Sequence, residues 1–166
     1  YADKSFIANN LSLSSYKTIS ENVIGAGKIH LSSINGIGSD DVRISKRKNL
    51  SSRRLRGFES GRIGPLDRKD HIGGNYSAAV NFEAALPNFL PESTKTDISF
   101  FLDFGNVWGV DYSWIIDDSN TIRSSTGGIV NWMSPLGPMS FVFAQNISKA
   151  STDITEGFNF NLGTTF

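Results

Sequence analysis

Residues 158–166 of this 166-residue chain read Phe158-Asn159-Phe160-Asn161-Leu162-Gly163-Thr164-Thr165-Phe166. The aromatic and aliphatic residues share one parity with Thr164, while the asparagines, Gly163 and Thr165 share the other, which is the two-residue period of a strand with two unlike faces. A length of about nine residues with aromatic residues at both ends is typical of a strand that crosses an outer membrane. The segment therefore predicts a transmembrane β-strand.

Earlier parts of the chain favour the same interpretation. Alternation is clearest in 77–86 and 97–106, where Glu83 and Asp103 fall on the polar parity of their strands. Less regular strands are predicted over residues 2–14, 21–34, 121–133 and 139–147. The predicted fold class is therefore all-β, an antiparallel transmembrane β-barrel fragment of about seven strands. Single-chain bacterial barrels have even strand numbers from about eight upward, and a bilayer tolerates no unpaired sheet edge, so we expect a larger barrel.

The predicted connections alternate in length. Residues 35–76 form a long connection and 87–96 a shorter one, 107–120 and 148–156 are of medium length, and 134–138 is a tight reversal expected to lie outside any strand. Transmembrane barrels alternate short periplasmic turns with longer outer loops. The order of connections thus agrees with a barrel.

Composition excludes several classes of protein. The chain has no cysteine, which rules out disulfides and thiolate metal sites, and its formal net charge of zero removes any whole-chain argument for nucleic acid binding. His30 and His71 lack metal-ligand spacing, so neither a metal nor another cofactor is expected. The start, Tyr1-Ala2-Asp3-Lys4, has no signal-peptide layout, and we expect it to be a cut within a longer protein.

The long connection contains Leu55-Arg56-Gly57-Phe58 within its basic part, where residues 43–69 hold ten of the 16 Lys and Arg residues. Gly57 weakens strand pairing and permits backbone angles that other residues avoid, so the stretch predicts the tip of an ordered loop. From the residues alone two readings of Arg56 stay open. It either finds an acidic partner or remains a solvated cation in a basic loop.

Several motifs in fixed order resemble the C-terminal half of the barrel of the BamA family, the outer-membrane insertases of Gram-negative bacteria. They are Arg56-Gly57-Phe58, Gly64-Pro65, Gly73-Gly74-Asn75, Phe101-Leu102-Asp103-Phe104-Gly105 with Val107-Trp108, Trp132-Met133-Ser134-Pro135-Leu136-Gly137-Pro138, and the strand that ends at Phe166. The resemblance covers residues 50–166, whereas the first 49 residues match only as generic strands. It implies that residues 1–166 are the C-terminal part of a sixteen-stranded barrel, roughly strands ten to sixteen.

The resemblance also implies a site and partners. In that family the loop, here residues 35–76, folds into the barrel lumen, and its Arg meets acidic residues on the inner wall. By motif these are Arg56, flanked by Gly57 and Phe58, with Glu83 and Asp103. The implied partners are the remainder of the barrel, periplasmic POTRA domains, accessory outer-membrane lipoproteins, client outer-membrane proteins and lipid.

The function that we expect is assembly and insertion of β-barrel proteins into the bacterial outer membrane, without enzymatic chemistry. A weakly paired seam would template incoming client strands by edge addition. Its strand carries Phe158, Phe160, Leu162, Gly163 and Phe166, and the glycine within it would weaken pairing.

Three other functions remain open. Two-partner secretion and TamA-type translocation barrels also carry an Arg-Gly-Phe loop. A passive porin would use the basic loop to select anions. An outer-membrane hydrolase is the weakest alternative, because no Ser or His stands in a recognisable catalytic motif.

Overall fold

The computed structural model describes residues 5–38, 41–111 and 121–163, which form antiparallel β-structure. The strands are β1 (Phe6–Ser20), β2 (Val23–Gly36), β3 (Leu66–Asp67), β4 (Asp70–His71), β5 (Tyr76–Leu86), β6 (Thr96–Trp108), β7 (Arg123–Ser134), β8 (Gly137–Ser148) and β9 (Phe158–Leu162). Seven of them form one sheet in the order β1-β2-β5-β6-β7-β8-β9, and β3 pairs with β4. The predicted all-β, antiparallel fold class is confirmed.

The remaining regular structure is short. Single 3-10 turns lie at Ile44–Lys46 and Glu92–Thr94. Among the described residues, no helix has the length and hydropathy that a membrane span requires. Most of the polar loop predicted at 107–120 lies outside the described residues.

Of the strand predicted at 158–166, the structure describes residues 158–163, and β9 covers Phe158–Leu162 among them. Regular pairing with β8 ends at Leu162, opposite Met139. Gly163 follows as a bend with a φ of +105°, outside the range of extended backbone, and so does not lie within the strand as predicted. Its N–H still donates to the carbonyl of Pro138 at 2.9 Å. Phe166 lies outside the described residues.

The reversal predicted at 134–138 is tighter than expected. Ser134 and Gly137 are paired strand residues, so only Pro135 and Leu136 connect β7 to β8. Pro138 therefore lies inside β8, contrary to the prediction. It is tolerated because it is the second residue of the strand, where one missing N–H removes little of the ladder.

The sheet has two unlike faces. On the outer face, large apolar side chains stand between 40% and 60% exposed: Leu11, Leu13, Ile29, Leu31, Phe82, Phe100, Phe143, Phe158, Phe160 and Leu162. Tilted aromatic pairs continue this surface onto β9. The ring centroids of Phe158 and Phe143 are 5.2 Å apart, as are those of Phe160 and Phe141. A continuous apolar surface of this kind is typical of a lipid-facing barrel wall.

The inner face is covered by the connection between β2 and β5, residues 37–75, which we call the inner loop. The main hydrophobic cluster lies between loop and sheet and consists of Leu50, Leu55, Phe58, Ile63, Ala79 and Val107. A smaller cluster consists of the strand residues Phe101, Ile129 and Val142. Gly105 of β6 permits this packing, because a Cβ at that position would lie 2.9 Å from Leu50 and 3.2 Å from Leu55. The loop is thus a packed layer of the fold.

Within the described residues, β1 pairs only with β2 and β9 only with β8. The sheet therefore has one edge at β1 and another at β9. Every residue of β1 is exposed, as expected for a strand that is paired on one side only within the described residues.

The assignment of the two faces predicts opposite responses at adjacent residues of β1. Leu13 pairs with Ile29 on the outer face, whereas Ser14 pairs with Lys28 on the inner face. Leu13→Arg should lower the free energy of unfolding in a bilayer by about 2–4 kcal/mol, because it places a charge in lipid. Ser14→Arg at the same depth should change it little. Urea unfolding of the full-length protein in vesicles measures both, and equal effects would contradict the assignment.

Candidate functional site

A row of polar side chains crosses four strands beneath the tip of the inner loop. Asn81 of β5 lies opposite Asp103 of β6, which lies opposite Ser125 of β7, which is followed in the same register by Asn146 of β8. Directly opposed residues of an antiparallel pair point to the same face, with Cβ atoms about 4.5–5.5 Å apart. The register of four strands thus builds one continuous polar surface, which we call the polar row.

Arg56 binds the centre of this row. Its Nε and Nη2 donate to the two carboxylate oxygens of Asp103, each at 2.7 Å, and its backbone N–H donates to the same carboxylate at 3.1 Å. Asn81 donates to that carboxylate at 2.9 Å. Asp103 is fully buried, so its charge is satisfied entirely by these donors. Two parallel bonds from one guanidinium give a fixed orientation that a lysine ammonium cannot supply.

Two further groups hold the guanidinium. Nη1 donates to the carboxylate of Glu83 at 2.9 Å, and the side chain of Glu83 is 25% exposed. The Cζ atom of Arg56 lies over the ring of Phe101, 4.0 Å from the ring centroid, in the geometry of a cation–π contact. Arg56 therefore contacts two strands of the wall through charge, hydrogen bonds and an aromatic face.

Electrostatics keep Arg56 charged. Burial alone lowers its pKa, but the hydrogen bonds and negative charge of Asp103, followed by those of Glu83, raise the pKa above its ordinary value. Arginine is already protonated throughout the accessible pH range. The charge of Arg56 therefore does not change over the physiological pH range.

The backbone of the tip is also hydrogen-bonded to the wall. Ser125 donates to the carbonyl of Arg56, and Asn146 donates to the carbonyl of Gly57 at 2.8 Å. Asn81 donates to the carbonyl of Arg54 at 2.8 Å. Each member of the polar row thus bonds the loop, and together they join the tip to four adjacent strands.

Gly57 and Phe58 complete the tip. Gly57 has a φ of +88°, and a Cβ there would lie 3.1 Å from Ala144, 3.2 Å from Asn146 and 3.3 Å from Ser125. Phe58 is buried in the core and forms a β-bridge with Thr155. The glycine lets the backbone reach the wall, and the aromatic residue that follows it enters the core.

The structure brings the five predicted residues Arg56, Gly57, Phe58, Glu83 and Asp103 into one cluster. The residues of the predicted seam stand apart from it: Phe158, Phe160 and Leu162 point outward from β9 and Gly163 follows the strand. Sequence reasoning missed Asn81, Phe101, Ser125 and Asn146. Asn81 and Phe101 share the parity of Glu83 and Asp103 and were within reach of the same argument, whereas Ser125 and Asn146 carry no local signal.

The described residues contain no group of three or more His, Asp or Glu side chains that could hold a metal ion. The carboxylates of the cluster are occupied by Arg56. These ion pairs attach the inner loop to strands β5 and β6.

A sheet with a lipid-facing outer surface, a polar inner surface and a loop bonded to that inner surface is part of the wall of an outer-membrane β-barrel. The comparison with known families agrees. The model of the Omp85 superfamily domain matches residues 1–166, and the chain belongs to this superfamily.

Individual relatives narrow the resemblance to BamA barrels. The chain is 34% identical over 139 residues to the outer membrane protein assembly factor BamA of Neisseria meningitidis serogroup B, a match that covers 68% of this chain and 17% of the relative. It is 29% identical over 147 residues to BamA of Neorickettsia risticii, covering 87% of this chain and 19% of the relative. The predicted resemblance to the BamA family is confirmed.

A solved structure extends the match to the fold. The crystal structure of BamA from Haemophilus ducreyi lacking POTRA domains 1–3 superposes with a TM-score of 0.84 at 26% identity, covering 95% of this chain and 35% of that one. The chain thus spans about a fifth of the length of the curated relatives and corresponds to a fragment of a BamA barrel.

The unequal burial of the two carboxylates predicts unequal effects on stability. Asp103→Asn leaves Arg56 in a buried site without its main counter-charge and should lower the free energy of unfolding by about 3 kcal/mol or more. Glu83→Gln removes a partly exposed partner and should cost below about 1 kcal/mol. Urea unfolding of the full-length protein in vesicles tests this order, and a larger effect at Glu83 would contradict it.

Gly57 and Gly61 offer a matched pair for the tip. Both have positive φ, at +88° and +71°, but the nearest atom to a Cβ at Gly61 is 3.9 Å away, on Asn49. Gly61→Ala should therefore cost only the backbone penalty of about 1–2 kcal/mol. Gly57→Ala should cost clearly more in the same unfolding experiment, because the wall must also move. Equal losses would show that the tip does not pack closely against β7 and β8.

Proposed function

We propose that this chain is the C-terminal wall of a barrel that assembles and inserts other β-barrel proteins into the bacterial outer membrane. Membership of the Omp85 superfamily and the likeness to proteins named outer membrane protein assembly factors support this proposal. The single observation that carries it is the 34% identity over 139 residues to a protein named an outer membrane protein assembly factor. The proposal requires no enzymatic step and no cofactor.

The loop anchor consists of Arg56, Gly57, Phe58, Glu83 and Asp103, and its proposed role is to fix the geometry of the wall. The tip bonds β5, β6, β7 and β8 at once through the polar row. A rigid crosspiece of this kind limits how far neighbouring strands can slide or rotate. We place the inner loop in the barrel lumen, because it covers the polar face and leaves the apolar face to lipid.

The seam is proposed at β9. Within the described residues, its regular pairing with β8 covers five residues, whereas β8 itself extends over twelve. A short ladder holds fewer backbone hydrogen bonds, so β9 is easier to separate than a full-length strand. The exposed N–H and C=O groups of a separated edge are a template for an incoming strand. In this mechanism client strands add at β9.

The proposed partners follow from the edges and from the relatives. The remainder of the barrel pairs with β1, whose fifteen residues have no second neighbour within the described residues. POTRA domains, accessory lipoproteins and client barrel proteins complete the proposed assembly, in a lipid bilayer.

The test uses the full-length protein reconstituted with its accessory lipoproteins in liposomes, and measures folding of a client barrel by its heat-modifiable mobility. Arg56→Ala and Asp103→Arg should both reduce client folding to the level of empty liposomes, because each releases the loop from the wall. Arg62→Ala is the matched control, since Arg62 pairs with Glu59 at 3.6 Å on the surface.

Normal protein abundance together with normal client folding in both anchor variants would contradict the anchor role. The same liposomes distinguish the alternative functions. A passive porin would give steady anion-selective conductance without client folding, and a TamA-type or two-partner secretion barrel would translocate its cargo without inserting a general client.

A further inference from the structure

A second buried ion pair lies outside the loop anchor. Arg123, the first residue of β7, donates from Nε and Nη2 to the two carboxylate oxygens of Asp153, both at 2.9 Å. Both side chains are fully buried. Asp153 belongs to the connection between β8 and β9, residues 149–157, which we call the outer connection.

Arg123 is a fixed point on the sheet. Its Nη1 donates to Asn106 of β6 at 2.6 Å and to the carbonyl of Thr121 at 2.9 Å. The guanidinium is therefore also held by β6 and by the segment that precedes β7. Asp153 in turn accepts the N–H of Ala150 at 2.7 Å, which closes a turn within the outer connection.

Directly after Asp153, the outer connection pairs with the tip of the inner loop. Phe58 and Thr155 form an antiparallel bridge. The backbone N–H of Glu59 donates to the carbonyl of Ile154 at 3.0 Å, and the backbone N–H of Glu156 donates to the carbonyl of Gly57 at 3.0 Å. The tip is thus enclosed between the polar row on one side and the outer connection on the other.

The same segment leads straight into β9. Ala144 of β8 donates to the carbonyl of Gly157 at 2.8 Å, and the next residue, Phe158, begins the ladder opposite Phe143. Four residues separate Asp153 from the start of the strand. A displacement of Asp153 must therefore reach β9 within one short, hydrogen-bonded segment.

We propose that Arg123 is a positioning residue for the seam, acting through Asp153 to hold the outer connection against the loop tip and so to restrain the first residues of β9. This inference rests on the proposed function, in which β9 is the strand that separates. The ion pair of Arg123 with Asp153 shares no residue with the ion pairs of Arg56, although the outer connection that it holds contacts the loop tip. Loosening it would free the beginning of β9 while Arg56 stays bound to Asp103.

Hydrogen exchange on the full-length protein in lipid nanodiscs tests the restraint directly. Asp153→Asn should raise the exchange rate of the amides of Ile154, Glu156 and Asn159 by about tenfold or more, because it leaves Arg123 buried without its counter-charge. Amides of β5 and β6 should exchange as in the wild type. The control, Glu59→Gln, makes the same chemical change in the exposed pair with Arg62 and should leave exchange at these three positions unchanged.

A conservative variant separates positioning from folding. Asp153→Glu restores the negative charge and should recover most of the protection of these amides from hydrogen exchange. The folded barrel should keep its heat-modifiable electrophoretic mobility in this variant. Unchanged exchange in Asp153→Asn would overturn the inference whatever the protein's function. So would uniform loss of protection throughout the sheet, since this would indicate a general loss of stability.

Client folding by the same variant tests the proposed function separately. Faster exchange at β9 together with a higher initial rate of client folding would support both the restraint and the seam. Faster exchange with an unchanged rate would support the restraint but contradict β9 as the strand that opens for clients.

Discussion

The structure depends on one electrostatic constraint, the compensation of the buried Asp103 carboxylate. An isolated charge of this kind is very costly to bury, and several donors must converge on it. Arg56 supplies two side-chain bonds and one backbone bond, and Asn81 supplies another. Because Arg56 lies on the inner loop and Asp103 on β6, satisfying the carboxylate requires the loop to lie on the wall.

This constraint gives the sheet its main hydrophobic cluster. The strands alone contribute only a smaller cluster, which includes Phe101. In the main cluster, Leu55 and Phe58, on either side of the anchoring residues, pack against Ala79 and Val107 of the wall. The ion pair and the apolar cluster therefore support each other: the charges fix the position of the tip, and the packed side chains exclude water from the charges. The proposed insertase activity requires a rigid wall next to a seam, at β9, that can separate.

Several elements followed from the sequence by simple periodicity, and others did not. Glu83 and Asp103 were assigned to one face because they share the polar parity of strands that alternate cleanly, and β5 and β6 have nearly the predicted bounds. The placement of Gly163 within β9 was wrong, because its positive φ bends the backbone after Leu162 without changing the alternation of residue types. Pro138 was excluded from a strand by a general rule that does not apply next to a two-residue turn.

By itself, the sequence determined the all-β class, the lipid-facing and polar parities of the best strands, and, through its motifs, the residues that meet at the loop tip. Those properties depend on neighbours in the chain and on residue type. Only the tertiary structure decided the alignment of Asn81, Asp103, Ser125 and Asn146 into one row and the burial of Arg123 with Asp153. The physical reason is register: which residues of separate strands face each other is set by the turns and by the packing of the whole sheet.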